Sequence, residues 1–430
     1  MEGINVYLLV IYASLVIVIS YFFNIISKKT GVPSVLMLIL LGIGIHEILI
    51  WKGMPIDKSW FSMLELLGIV GLILIVLEAA LELKLSREKK GVILQSISSA
   101  LLGLLLTTAA IAALLHYTLI PDWFQAVLYA TPLGVMSSAI VIPSVGGLSK
   151  SNQEFMIYES TFSDIFGIVL FFSITGNAEV SSAWSIVKNV AANIGLTVVL
   201  AVVLAVVLVW LLQKITTKVK LFLLIAILLI LYSAGKLMHL SPLFIILFFG
   251  LALSNYKLLA VGKARKLFNE QALHRVLEEM HTITLETAFV VRTFFFVVLG
   301  ITFDIRELLD MQALYISLGV LALIYLTRLV TLKVSMVKSL FPLVWLAPRG
   351  LITIMLVISV PAQYRTEFPD SILLYVILIS CLIMMGGLMS SKRDEEDVPT
   401  LTLKDIETLD KELESFLAQH NCQEKPGNKA

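Results

Sequence analysis

The sequence predicts an all-α membrane protein with about thirteen transmembrane helices, arranged as two inverted six-helix repeats whose broken helices cross at the midplane. Three observations carry that prediction: apolar runs of spanning length, a regular alternation of basic charge between loops, and a matched pair of interrupted spans. Of 430 residues, 58% are hydrophobic and 15% charged, with a mean hydropathy of +0.95, whereas a soluble domain carries about 25% charged residues. The 32 Lys and Arg nearly cancel the 31 Asp and Glu, so no basic surplus exists to neutralise nucleic-acid phosphates. Cys381 lies in an apolar run and Cys422 in a polar stretch; they make no disulfide framework, and no metal-ligand spacing surrounds them.

A bilayer core needs about 20 apolar residues per helix. Such runs occupy 4–27, 32–51, 60–83, 91–117, 123–147, 155–176, 183–213, 221–238, 242–260, 280–302, 310–334, 339–360 and 370–390. A missed or invented span would scramble the placement of Lys and Arg in alternate loops. The placement is regular: one set of loops holds roughly nineteen of them, from Lys28 and Lys29 to Lys392 and Arg393, and the other holds Lys52, Lys58, Lys236, Arg306 and Arg365. The rule puts the N-terminus outside and the C-terminus in the cytoplasm. The first run has no preceding basic residues and no small-residue cleavage site, so it is expected to be a retained span.

Two spans are interrupted by helix breakers. The fifth reads ATPLGVMSSAIVIPS, with Pro132 and Gly134 beside Thr131, Ser137 and Ser138, and the twelfth reads FPLVWLAPRGLITIML, with Pro348, Arg349 and Gly350. They stand seven spans apart, as expected of two six-helix units flanking a central seventh helix, and paired interruptions point to an ion site. Residues 1–390 form the membrane domain and 391–430 a cytoplasmic tail, where Ile406, Leu409, Leu413 and Phe416 mark one short amphipathic helix. A second amphipathic stretch, 262–279, is expected to lie along the interface as a connector.

Charge in hydrocarbon is costly, so ionisable residues there are functional candidates. They are Glu78 and Glu82 in the third span, Glu159 and Asp164 in the sixth, Glu286 and Arg292 in the tenth, Arg328 and Arg349; Lys188, near a helix end, can snorkel to the headgroups. The densest cluster is YESTFSDIFG. Ser160 and Thr161 stand four and three residues before Asp164, so their hydroxyls can share its helix face. A dehydrated alkali cation wants such oxygen ligands, together with backbone carbonyls freed by broken helices. The alternative is that the hydroxyls back-bond to their own helix while the acids pair with arginines for packing.

Several ordered segments resemble the monovalent cation:proton antiporter superfamily, and within it the thirteen-span sodium/proton exchangers: GVPSVLMLILLGIGI, LILIVLEAALELKLSREKK, ESTFSDIFGIVLFF, RTFFFVVLGITFDI and APRGLITIML. The resemblance covers about residues 5–390. It implies that Asp164 binds either the cation or the proton, that Glu159 forms an intramembrane ion pair with Arg328, and that Arg349 belongs to the second broken helix. Arg292 is a weaker candidate, with a pair to Glu286 as its alternative; Ser137, Ser138 and Glu82 are weaker candidates for the ion path. Two positions depart from the family pattern. Ser163 replaces the Asn before the key Asp, and Thr131 stands where many exchangers carry Asp.

With a serine beside Asp164, charge counting leads to a one-for-one electroneutral swap at a carboxylate that holds one guest at a time. The resemblance implies Na⁺ as cargo with K⁺ as the alternative, a homodimer in a bacterial inner membrane, and no cofactor and no enzymatic activity. Rival readings on the same acids are a channel or symporter, a non-transporting sensor, and an aspartyl protease, which lacks a second aspartate at membrane depth.

Overall fold

The computed structural model describes residues 6–30, 32–53, 58–83, 89–176, 242–255, 270–303, 310–337 and 340–390, with isolated positions at 188–233 and at 306. Every regular element among them is helical. In order, they are α1 (Val6–Thr30), α2 (Ser34–Trp51), α3 (Lys58–Glu82), α4 (Lys90–Thr118), α5 (Trp123–Gly134), α6 (Ser138–Ser144), α7 (Lys150–Gly176), α8 (Pro242–Ser254), α9 (Glu270–Thr302), α10 (Met311–Val334), α11 (Leu351–Ile358) and α12 (Asp370–Ser390). Nine segments among the described residues are long and apolar enough to cross a membrane. They match predicted spans one to six, ten, eleven and thirteen. The ninth is the shorter α8, and the twelfth is interrupted. Spans seven and eight and the tail helix lie outside the described residues, apart from the isolated positions.

Local chemistry explains the ends of these helices. Asp122 and Asp310 cap α5 and α10, their carboxylates accepting the backbone N–H of Gln125 and of Gln312 and Ala313, which satisfies donors left free in a first turn. Helix α5 carries Pro132 in its last turn and stops at Gly134. Val135 and Ser137 are extended, and the chain re-enters a helix at Ser138. After a 3-10 turn at Leu343–Trp345, the twelfth span stays non-helical until Leu351.

One expectation needs correction. The amphipathic stretch 262–279 does not form a separate interfacial connector over its described part, because the helix from Glu270 runs without interruption into the tenth span. A polar segment at a helix entry needs no turn to leave the membrane; it extends the helix into water.

The helices sort into two packed groups. In the first, α2 and α3 pack on α9, and α8 packs on α3. The α2–α9 crossing is closest at Gly42 and Gly300, where a β-carbon on either would overlap backbone of the other helix. One turn on, His46 is buried with Nδ1 2.7 Å from the Ile301 carbonyl. In the second group α4 packs against α5, α7 and α10, α10 packs on α12, and α6 lies on α7. Helix α1 packs against α2 but leaves Tyr7, Val10, Ile11, Leu15 and Phe22 exposed, a surface suited to lipid.

Candidate functional site

The centre of the second group is the middle of α7, where Glu159, Ser160, Thr161, Ser163 and Asp164 are all buried. Buried polar atoms need partners, and the two breaks supply several. The extended segment after α5 runs beside α7, so that the Met136 N–H donates to Ser163 Oγ at 2.9 Å and the Ser138 N–H donates to Asp164 Oδ2 at 3.2 Å. The two breaks also meet each other: the Ser137 N–H donates to the Pro348 carbonyl at 2.9 Å. Gly350 permits this approach, since a β-carbon there would fall 2.6 Å from Ser137 Oγ.

Arg349 joins the breaks electrostatically. Its Nε donates to the Leu133 carbonyl at the end of α5 (2.6 Å), one terminal nitrogen donates to the Ala347 carbonyl (3.0 Å), and its backbone N–H donates to Ser380 Oγ on α12 (3.1 Å). The last carbonyls of a helix lack intrahelical donors and carry partial negative charge. A buried guanidinium at the end of α5 answers both.

A second charged assembly sits on the other flank of α7. Arg328 from α10 donates to both Glu159 carboxylate oxygens, at 3.3 and 3.1 Å, and its Nε donates to the Leu343 carbonyl at 2.8 Å. Ser99 Oγ from α4 donates to Glu159 Oε1 at 2.6 Å. Both charges are nearly inaccessible, with side chains 8% and 2% exposed, so each meets the condition that buried charge be paired and hydrogen-bonded.

Asp164 itself is less satisfied. It is 3% exposed, accepts from Ser138, and its Oδ1 has no hydrogen-bond partner among the described residues; the buried Ser137 Oγ and Thr353 Oγ1 have none there either. The other hydroxyls behave differently from the simplest reading of helix faces. Ser160 Oγ and Thr161 Oγ1 donate to the Ile157 carbonyl, and Thr131 Oγ1 donates to the Val127 carbonyl. Their protons are committed to their own helices, which leaves lone pairs as all they can offer to a cation.

Two cavities border this region. A small one of about 30 Å³ is lined by Ser99, Glu159, Ser163, Arg328 and Arg349 among others. A larger one of about 240 Å³ is lined by Ser138, Glu78, Glu82, Arg292, Asn24 and Thr293 among others. Thus Ser163, before Asp164 in sequence, faces one cavity, and Ser138, bonded to Asp164, faces the other.

Arg292 does not pair with Glu286, which is exposed. It reaches across from α9 to α3, donating to both oxygens of Glu78 at 3.3 and 3.2 Å, with a longer contact of 3.5 Å to the Ala139 carbonyl of α6. The partner is set by the α3–α9 crossing, which sequence proximity does not reveal. The role of Glu78 as Arg292's counter-charge was missed by sequence reasoning; the only sequence signal is that both are ionisable residues in spans. Glu82, one turn further on, lines the same cavity.

Comparison with known proteins agrees with this architecture. A family model described as "Sodium/hydrogen exchanger, transmembrane" matches residues 14–389. The chain is similar to a structure of the sodium proton antiporter MjNhaP1 from Methanocaldococcus jannaschii at pH 8, with 19% identity, TM-score 0.64, and coverage of 90% of this chain and 94% of that one. An electron-microscopy map of the same antiporter matches at 16% identity and TM-score 0.64, covering 99% of this chain and 100% of that one. No curated relative matches. With nine described segments long enough to span a bilayer and the family model matching most of its length, the chain belongs to the sodium/hydrogen exchanger family and is a multi-pass membrane cation/proton antiporter.

Proposed function

We propose that this protein exchanges one Na⁺ for one H⁺ by alternating access, with Asp164 as the shared binding group. The observation that carries the reading is the placement of Asp164: a buried carboxylate beside the crossing of two broken helices, with one oxygen held by the Ser138 N–H and the other without a partner among the described residues. A bare carboxylate in low dielectric is costly, so the site is stable when a proton or a cation neutralises it. Either guest cancels the single charge, so the neutral forms cross and the empty one does not. That rule couples the two fluxes one for one.

Around Asp164, Ser137 Oγ and the lone pairs of Ser160, Thr161, Ser163 and Thr131 are the oxygen donors available to a dehydrated cation. Glu159, Arg328 and Arg349 hold the broken helices in place and do not bind cargo. The group containing α4–α7 and α10–α12 moves as one body against the group containing α2, α3, α8 and α9, which would carry the homodimer contact. The 240 Å³ cavity then leads to Ser138 from the side that the loop lysines mark as cytoplasmic, and the protein resides in the plasma membrane with its N-terminus outside. The cation and proton are cargo, and no cofactor takes part.

The test is a fluorescence-dequenching assay of pH gradients in everted membrane vesicles with Na⁺, Li⁺ and K⁺. Dequenching is expected with Na⁺ and is expected to disappear in Asp164→Asn while the protein remains folded. Collapsing the membrane potential with thiocyanate at a clamped pH gradient should leave the rate unchanged, because a neutral exchange moves no net charge. A rate that follows the potential contradicts the stoichiometry, and exchange retained in Asp164→Asn removes that residue from its role.

A further inference from the structure

A cleft of about 650 Å³ opens where α4 and α7 begin and α10 ends, at one end of the bundle and away from the ion site. Its polar wall includes Gln95, Ser98, Ser151 and Asn152. Two cross-links brace its walls. Gln95 Nε2 donates to the Ser335 carbonyl at 2.8 Å, joining α4 to the end of α10, and Lys89 Nζ meets Glu154 Oε1 at 2.8 Å, joining α4 to α7.

Charge at this end is one-sided. Among the described residues beside the cleft, 89–90, 150–154 and 333–337 carry four lysines, Lys89, Lys90, Lys150 and Lys333, against one acid, Glu154. Lys90, Lys150 and Lys333 are exposed, and Glu154 is engaged by Lys89. The apolar side has a direction too. Leu94, Leu101 and Leu105 on α4 are exposed, as are Leu326, Val330 and Val334 on α10. Each set falls on one helix face, α4 and α10 pack together, and Leu94 and Val334 line the cleft itself. Two lipid-facing stripes therefore converge on a polar recess ringed by lysines.

We propose that this cleft binds the headgroup of an anionic phospholipid, with an acyl chain lying along the two stripes. Juxtamembrane lysines attract anionic lipid, and the recess adds the Ser151 hydroxyl and the Asn152 amide as donors for phosphate oxygens, while Ser98 and Gln95 are engaged in holding α4 to itself and to the end of α10. A soluble anion would use the lysines but leave the stripes unused.

The test uses the full chain in detergent, incubated with equal amounts of phosphatidylglycerol and phosphatidylcholine and examined by native mass spectrometry. The wild type is expected to retain phosphatidylglycerol preferentially, and the combined Lys90→Gln, Lys150→Gln, Lys333→Gln variant to lose that preference and retain the two lipids about equally, since each surface lysine is worth roughly fivefold. Equal retention of both lipids by the wild type, or an undiminished preference in the variant, overturns the proposal. A photo-crosslinking benzoylphenylalanine at Leu94, in vesicles containing phosphatidylglycerol, gives an independent reading. A lipid adduct supports the site, whereas an adduct with peptides from 391–430 means that the tail fills the cleft instead.

Discussion

The α2–α9 crossing and the meeting of the two breaks both bring backbone close to backbone, but with opposite chemistry. At Gly42 and Gly300 two regular helices touch because neither carries a side chain. Where Ser137 meets Pro348, the helices have come apart, and the freed groups are satisfied across elements by Ser163, Asp164 and Arg349. The first arrangement is a rigid joint. The second places polar atoms at membrane depth, which lipid tolerates only where irregular backbone is enclosed by protein, and it is the arrangement that can hold an ion.

The contrast makes predictions, the largest in the polar group. Glu159→Gln or Arg328→Gln leaves one buried charge unpaired, expected to destabilise the protein by about 3–5 kcal/mol. The double variant removes both charges and should recover much of the loss. Thermal unfolding in detergent followed by tryptophan fluorescence measures all three; a double variant no more stable than the worse single would mean the pair is not the source of the cost.

Next come the glycines, which separate stability from activity. A β-carbon at Gly300 meets the Ile39 carbonyl and the Gly42 α-carbon, backbone that cannot step aside. Gly300→Ala should therefore cost about 1–3 kcal/mol through overpacking. At Gly350 the two nearest obstacles are the ends of Ser137 and Ile140, which can turn, and the third, Ser137 Cβ at 3.0 Å, needs to give by only a few tenths of an ångström. Gly350→Ala should keep most of the stability but displace Ser137 and lower exchange, read as a raised KM for cation. Equal losses of both properties at both sites would erase the distinction.

The smallest effects belong to the back-bonded hydroxyls. Thr161→Val removes a bond to the Ile157 carbonyl, which already has a partner in its helix, so stability should change by no more than about 1 kcal/mol. If Thr161 lends a lone pair to the cation, affinity falls severalfold at unchanged folding; if affinity holds, Thr161 is structural and the cation is served by Ser137 and Asp164.

Much of this was legible in the sequence. Pro132 with Gly134, and Pro348 with Gly350, announce the broken helices because a missing N–H and a missing β-carbon act on the backbone directly. Runs of about 20 apolar residues mark the nine described spanning segments because length and composition alone set what can cross a bilayer. What stayed hidden depends on tertiary crossings or on single torsions. Arg292 lies 214 residues from Glu78, and only the α3–α9 crossing pairs them. Helical spacing put Ser160 and Thr161 on the face of Asp164, yet a hydroxyl on that face can turn back to its own carbonyl, and in this chain both do. The continuity of α9 from Glu270 into the membrane was obscured because polar composition marks where a helix meets water, not where it bends.

The central claim is that cation and proton exclude one another at Asp164. Calorimetric titration of Na⁺ into the detergent-solubilised protein, repeated in two buffers of different ionisation enthalpy, counts protons released per cation bound. Release approaching one proton per Na⁺ is expected at the acid end of the working range, and neither Na⁺ binding nor release in Asp164→Asn. Na⁺ binding with no proton release, or the same release from Asp164→Asn, would contradict it.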